Sequence, residues 1–255
     1  MTFARLASIA VIGTALLTAV PAAPRAADAF DDNEKTAIGE IVRDYLVKNP
    51  EVIEEALREL EKRHVEAENK ARAAAIAENR QTLLNSPNQV VLGNPDGDVT
   101  IVEFFDYNCG YCKRALSDLV DLMKMDPKLR VVLKEFPVLG RESFEASQIA
   151  IAVAEQDKYF DFHRALLSEK GGRSNKARAL TVAEGLGIDM DRLKKDMEAD
   201  KVADTISEVY DLANRLGING TPAYVIGNEI VEGAVGFATL KEKVASMRKC
   251  GETSC

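Results

Sequence analysis

The 255-residue chain has no tryptophan, only two histidines and only four cysteines. His64 lies in a charged stretch and His163 in an aromatic one, so we expect a solvated and a core position, and a histidine-rich metal site is excluded. Four cysteines form at most two disulfide bonds, which are too few to stabilise a chain of this length, so a hydrophobic core must supply most of its stability. The net charge is −8, and basic clusters interleaved with aromatics are missing, which excludes the pattern of a nucleic-acid-binding protein.

An apolar run spans residues 6–20 after a single early cation, Arg5. Prolines and small residues follow, and Ala27-Asp28-Ala29 fits an A-x-A cleavage site. This order predicts a secretory signal peptide over residues 1–29, because the run is shorter than the about 20 residues that a membrane span needs. An uncleaved anchor is the alternative. We therefore expect an exported mature chain.

The segment 30–86 is predicted to form a helical arm and linker. It is rich in Ala, Glu, Lys and Arg, and Asn49-Pro50-Glu51 carries the N-cap, proline and first-turn acid of a helix start. These two helices could pack on the body of the chain or drive self-association. We favour self-association, because Ala67 to Ala75 indicate a solvated helical spacer between them and the body. Apolar stripes at helical spacing would form the contact, made of Ile38, Ile41, Tyr45, Ile53, Leu57 and Leu60.

Residues 87–249 show the alternation of strand, helix and turn patterns that is typical of an α/β domain. Turn-forming residues precede a β-branched, aromatic run at 99–107, which is followed by a helical segment and a further strand. A helical block at about 143–216 comes next, and then two strands joined at Gly227-Asn228 and a closing helix. The predicted order is β-α-β, a helical block and ββα, with residues 250–255 as a cysteine-containing tail.

The motif Cys109-Gly110-Tyr111-Cys112 lies where the strong strand ends and a helix begins. This placement predicts an exposed Cys109 at a helix N-terminus, where unpaired backbone N–H groups and the helix dipole favour an anion. A thiolate is the nucleophile of disulfide exchange, so the position activates Cys109. Cys112, one turn further on, is close enough to resolve a mixed disulfide. The motif is therefore predicted to be a redox pair.

A second close pair, Cys250 and Cys255, lies in the polar tail. We expect a small structural disulfide there; a redox relay, free thiols and metal-binding thiols are the alternatives. Zinc bound by both cysteine pairs would need the tail to reach Cys109, and no feature of the sequence brings it there. In Gly220-Thr221-Pro222-Ala223 a proline stands at the entry to an apolar strand, which marks an edge, a turn or a cis bond.

The chain resembles the DsbA-like thiol–disulfide oxidoreductases at two motifs, FFDYNCGYCK at residues 104–113 and GTPA at residues 220–223. The resemblance covers about residues 88–248. It implies a thioredoxin-like α/β fold with an inserted helical domain, preceded here by the N-terminal helical oligomerisation arm. Cys109 and Cys112 are then the catalytic residues.

The same resemblance implies roles for residues near the redox pair. Thr221-Pro222 would form a cis bond that faces Cys109 and contacts the substrate backbone. Glu103 would lie beneath the pair, with Lys134 near it, and these charges would tune the thiolate. An ordinary surface pair at strand ends is the alternative for Glu103 and Lys134.

The arm carries a narrower resemblance. Residues 41–56 resemble the N-terminal arm of the periplasmic suppressor-of-copper-sensitivity (ScsC) proteins, some of which trimerise. The resemblance implies a periplasmic homo-oligomer, most simply a trimer. Gly110-Tyr111 within the motif and Thr221 before the proline resemble the isomerase DsbC more than the oxidase DsbA.

We therefore expect a protein disulfide isomerase or reductase without a cofactor. It would act on misfolded or copper-oxidised exported proteins and be kept reduced by a membrane reductant of the DsbD or ScsB type. The alternatives are a net dithiol oxidase of the DsbA type and a non-enzymatic thiol chaperone that binds Cu(I) through soft sulfur ligands. Thr221→Val is expected to shift the protein toward oxidase-like behaviour.

Overall fold

The computed structural model describes residues 30–168 and 171–255. The signal peptide predicted over residues 1–29 lies outside these described residues. Within them, none of the helices combines the length and the apolar character that crossing a membrane requires. The described residues divide into two units, one that ends at residue 62 and one over residues 63–255.

The described part of the first unit holds helix α1 (Asp32–Lys48) and the start of helix α2 (Glu51–Glu78). Asp31 caps α1 by accepting the backbone N–H groups of Asn33 and Glu34, and the Glu34 side chain accepts the N–H of Asp31 in return. No residue of α1 is buried. The predicted apolar stripes are exposed in the single chain: Ile38, Ile41, Tyr45, Ile53, Leu57 and Leu60.

The second unit is built on a five-stranded sheet, whose strands are β1 (Val90–Gly93), β2 (Val99–Phe105), β3 (Leu129–Glu135), β4 (Ala223–Ile226) and β5 (Glu229–Glu232). Their order in the sheet is β1-β3-β2-β4-β5. β2 and β3 are parallel, and the other neighbours are antiparallel. β2 is the central strand, and six of its seven residues are buried because it is covered on both faces.

Helices cover both faces of this sheet. The further helices are α3 (Arg80–Asn85), α4 (Gly110–Met125), α5 (Arg141–Ala154), α6 (Tyr159–Ser168), α7 (Lys176–Gly185), α8 (Met190–Met197), α9 (Asp200–Leu216) and α10 (Phe237–Cys250). The end of α2 packs with α3 and α9 on the face that carries Val102 and Phe104. Helices α4 to α8 and α10 pack on the face that carries Ile101 and Phe105.

The order β2-α4-β3, then α5 to α9, then β4-β5-α10 is a thioredoxin-like arrangement with a helical insertion. The fold predicted from the sequence is therefore confirmed. The insertion leaves the sheet after β3 and returns at β4, which lies beside β2. This return brings Thr221 and Pro222 to the end of β2 that leads into α4.

The predicted spacer differs from the structure at its C-terminal end. Arg72 forms an ion pair with Glu232 at 3.2 Å, and Ile76 is buried among core side chains of the sheet. Apolar Ile76 and Leu83 fill the face beside Val102, so residues 72–86 pack with the sheet rather than extending the arm. A solvated spacer can extend no further than about residue 71.

Candidate active site

The cysteine motif lies at the junction of β2 and α4. Cys109 is the N-cap residue of α4, and its sulfur accepts the backbone N–H of Cys112 at 3.2 Å. The same sulfur lies 3.1 Å from the carbonyl oxygen of Thr221, to which the protonated thiol donates. Both cysteines are free thiols. Because α4 begins where β2 ends, the Cys109 sulfur lies at the N-terminus of α4 and the Cys112 sulfur lies one helical turn further along the chain.

The sequence predicted an exposed Cys109, and this prediction is wrong, because only 5% of the residue's surface is accessible. The segment before β4 covers it, and Thr221 is in direct contact with the sulfur. The Thr221–Pro222 peptide bond is cis. Gly110 and Tyr111 are the exposed members of the motif, and the Arg114 guanidinium lies over the Tyr111 ring. Only a small part of Cys109 is therefore accessible to a substrate.

The two cysteine sulfurs have opposite acid–base properties. The pKa of Cys109 is lowered to about 6, chiefly by a hydrogen bond from Cys112, and also by the Thr221 side chain and the N–H groups of Cys112 and Tyr111, while burial opposes the shift. The pKa of Cys112 is raised far above its ordinary value by burial, by its hydrogen bond to Cys109 and by the negative charge of Glu103. At neutral pH the outer sulfur is a thiolate and the inner one is a thiol.

Glu103 is the carboxylate that acts on this pair. It lies on β2 opposite Tyr224 of β4 and is buried. Burial raises the pKa of Glu103 to about 8, a hydrogen bond from Tyr224 opposes that rise, and the charge of Cys109 adds to it. Glu103 is therefore protonated through part of the neutral range and can exchange a proton near the inner sulfur.

Lys134 does not lie near Glu103, contrary to the role that the resemblance implied. Glu103 is in register with Leu133, so Lys134 points to the opposite face of the sheet. Its ammonium donates to the Thr82 carbonyl at 2.8 Å and to Gln89 Oε1 at 3.0 Å. Burial lowers the pKa of Lys134 to about 8, and Glu208 opposes that shift. Lys134 binds α3 and the following loop, and it does not tune the redox pair.

Sequence reasoning missed a second buried carboxyl, Glu135. It accepts hydrogen bonds from Tyr159 at 2.6 Å, Ser147 at 2.7 Å and Tyr107 at 3.2 Å. Burial raises the pKa of Glu135 to about 8 against these donors. His163 joins the group through Tyr107, and it is buried as predicted. Side chains alternate between the two faces along β3, so a prediction that places Leu133 on the face toward α4 also places Glu135 there.

The cysteine tail lies away from this site. Cys250 and Cys255 form a disulfide at the end of α10. Two residues before Cys250, Arg248 binds Asp98 before β2 and Asp126 after α4, and both acids are at the opposite end of the sheet from Cys109. Neither a shared zinc site nor a direct relay within one chain is compatible with this placement.

A thioredoxin-like sheet with a low-pKa cysteine at a helix N-terminus, and a second thiol one turn behind it, defines a protein of the thiol-redox class. The chain belongs to the DsbA-like family: the DSBA-like thioredoxin domain matches residues 100–245. The copper resistance protein ScsC N-terminal domain matches residues 34–67, so the chain is of the DsbA-like ScsC type.

Two solved structures illustrate the likeness. A thioredoxin-like oxidoreductase from Silicibacter pomeroyi is 44% identical, with 68% of this chain and 99% of that chain covered and a TM-score of 0.65. ScsC of Proteus mirabilis in a transitional conformation is 31% identical, with 83% and 95% covered and a TM-score of 0.61. The second likeness extends over more of this chain because it includes residues outside the redox domain.

The curated relatives that match first are longer proteins. The Na(+)/H(+) antiporter NhaA 1 of Salinispora arenicola is 27% identical over 158 residues, which are 61% of this chain and 24% of that protein. The chain therefore spans about a quarter of the length of that relative.

Proposed function

We propose that the chain is a periplasmic protein thiol–disulfide oxidoreductase in which Cys109 is the nucleophile. The observation that carries the proposal is the opposite ionisation of the two sulfurs. A thiolate at the N-terminus of α4 can attack a disulfide at neutral pH, while Cys112 keeps its proton until it is needed. The family of the chain and its likeness to oxidoreductase structures support the same chemistry.

The reaction proceeds by two exchanges. The Cys109 thiolate forms a bond to one sulfur of a substrate disulfide, and the other substrate sulfur leaves as a thiolate. Cys112 then gives its proton to a base, a role that ionised Glu103 can fill, and attacks the Cys109 sulfur. The second substrate sulfur leaves, so the substrate gains two electrons and the enzyme becomes a disulfide. If a different substrate thiolate attacks instead, the disulfide is isomerised without net electron transfer.

The arm favours isomerase or reductase activity over net oxidation. Its exposed apolar stripes need a partner surface, and a second and third copy of the same arm would supply one. Several Cys109 sites around one substrate would keep a misfolded chain bound while a wrong disulfide is opened and re-paired. Substrates would include misfolded or copper-oxidised exported proteins, and a membrane reductant of the DsbD or ScsB type would restore the dithiol.

The low pKa of Cys109 favours a second candidate, net oxidation. A stabilised thiolate stabilises the reduced enzyme and makes its disulfide a stronger oxidant. Trapping the redox state of Cys109 and Cys112 in cells with an alkylating agent separates the two. A mostly reduced pair supports the isomerase, and a mostly oxidised pair supports the oxidase.

Two variants test the mechanism itself. Cys109→Ser should abolish exchange, because the attacking sulfur is gone. Cys112→Ala should accumulate mixed disulfides with substrate, since the resolving thiol is missing. Non-reducing electrophoresis with mass spectrometry would detect these adducts. Equal loss of activity without trapped adducts in Cys112→Ala would refute the assigned roles.

A further inference from the structure

The residue before the nucleophile uses all of its side-chain amide in contacts with two other segments. The Asn108 amide nitrogen donates to Ser143 Oγ at 3.0 Å and to the Ser174 carbonyl at 3.1 Å. Its amide oxygen accepts the backbone N–H of Ser174 at 2.7 Å. The side chain thus pairs with both backbone groups of one residue, as a neighbouring strand would.

These contacts hold three segments together beside Cys109. Ser143 lies in the first turn of α5, and Ser174 lies in the loop before α7. Ser174 is fully buried, and its hydroxyl donates to the Tyr107 carbonyl at 3.3 Å. Asp106 adds a parallel tie, because its carboxylate accepts the N–H of Asn108 at 2.7 Å and that of Leu139 at 2.9 Å. We call this set of contacts the Asn108 clasp.

The position of the clasp matters because the activation of Cys109 depends on geometry. The groups that stabilise its thiolate are on Cys112, Tyr111 and Thr221, and each acts through a hydrogen bond to one sulfur atom. Hydrogen bonds weaken steeply as distance and angle depart from their optimum. A functional group of this kind must be held to within about 0.5 Å of its working position. Asn108 directly precedes Cys109, the N-cap residue of α4, so a shift of the Asn108 backbone moves the Cys109 sulfur.

We propose that Asn108 is a positioning residue, which holds the Cys109 sulfur at the N-terminus of α4 by clasping the catalytic loop to the helical insertion. This inference rests on the proposed role of Cys109 as the nucleophile. The clasp also makes the inserted helices part of the redox site, although none of their side chains touches the sulfur in the hydrogen bonds described.

The chain offers a matched control in Asn94. Its amide nitrogen donates to the Pro127 carbonyl at 3.1 Å, and its amide oxygen accepts the Asp96 N–H at 2.9 Å. This asparagine also ties two loops together, but it lies before β2, at the end of the sheet away from Cys109. Asn108→Ala and Asn94→Ala therefore remove similar contacts, and only the first lies beside the sulfur.

The experiment measures the rate of iodoacetamide reaction at Cys109 against pH in the full-length reduced protein, together with the melting temperature. Asn108→Ala should raise the pKa of Cys109 by about one unit, the size expected for losing one charged hydrogen bond, and lower the alkylation rate at pH 5 by about tenfold. Ser143→Ala, which removes one acceptor of the clasp, should shift the pKa in the same direction by less. Asn94→Ala should lower the melting temperature without moving the pKa.

An unchanged pKa of Cys109 in folded Asn108→Ala would overturn the inference, as would an equal shift in Asn94→Ala. If Asn108→Ala does not fold, Ser143→Ala decides, and an unchanged pKa there overturns it. The measurement needs no protein substrate. Failure of the proposed function would instead appear as disulfide exchange that survives in Cys109→Ser.

Discussion

Replacing Glu103 with glutamine removes a buried carboxyl while nearly keeping its shape. Burial raises the pKa of Glu103 from its ordinary 4.5 to about 8. An acid whose pKa is higher in the folded state keeps its proton there after the unfolded chain has lost it. The free energy of unfolding of the wild type therefore falls as pH rises from 4.5 to about 8, and glutamine has no such loss.

The size of the effect follows from the two pKa values. Each unit of difference corresponds to about 1.4 kcal/mol, so at pH 7 the cost approaches about 3 kcal/mol, and it reaches about 5 kcal/mol when Glu103 is fully ionised. Glu103→Gln and the wild type should have similar free energies of unfolding at pH 4. At pH 7 the variant should be more stable by up to about 3 kcal/mol.

Urea unfolding of the reduced proteins at pH 4 and pH 7 measures this difference. Glu135→Gln is the matched control, because the pKa of Glu135 is also raised to about 8 by burial, but Glu135 does not act on Cys112. Both variants should lose part of the pH dependence, and only Glu103→Gln should slow the release of a mixed disulfide above pH 8. A stability difference between Glu103→Gln and wild type that is the same at both pH values would refute the reasoning.

Three further predictions concern the nucleophile and the arm. Cys112→Ala should raise the pKa of Cys109 from about 6 toward 9 without reaching it, because the largest stabilising contact is lost while the Thr221 side chain and the N–H groups remain; alkylation against pH reports this, and an unshifted inflection contradicts it. Thr221→Val should also raise the pKa of Cys109 and make the protein less oxidising, which is opposite to the oxidase-like shift expected from the resemblance. A redox potential, measured against glutathione, that is more oxidising in Thr221→Val than in the wild type would contradict this prediction. Ile41→Glu combined with Leu57→Glu should convert an oligomer into a folded, redox-active monomer, since both side chains are exposed in the single chain; light scattering on a wild-type protein that is already monomeric would remove the basis for the isomerase proposal.

The elements that position the site could be predicted from local pattern. A β-branched run, a CxxC motif and an amphipathic segment in that order leave few arrangements other than strand, turn and helix, and β2 and α4 follow it. The burial of Cys109 could not be predicted in this way, because it depends on Thr221, which lies 112 residues further along the chain. Chain separation of this size leaves no periodic signal, and only the family resemblance connected the two motifs.

Lys134 shows a different limit. The residue type and its place on the strand after Cys112 both agreed with an ion pair to Glu103, but a parallel register shifted by one residue reverses the face that a side chain occupies. Alternation along β3 shows which of its residues share a face, but it does not show which residue of β2 lies beside Lys134, because both faces of β3 are covered. The register had to come from the structure.

The alternation of side chains between the two faces of the sheet also bears on how Cys109 is activated. Glu103 and Glu135 point to the face on which the cysteine pair lies, and Lys134 points to the other face, so Lys134 does not supply the positive charge that would lower the pKa of Cys109. The groups that lower the pKa of Cys109 are all hydrogen-bond donors: a thiol, the Thr221 side chain and two backbone N–H groups. Such short, partly buried hydrogen bonds are screened by salt far less than a surface ion pair. A site that depends on placed donors is sensitive to small displacements of the chain. Asn108, which ties the catalytic loop to the helical insertion, is therefore expected to influence the thiolate more than Lys134 does.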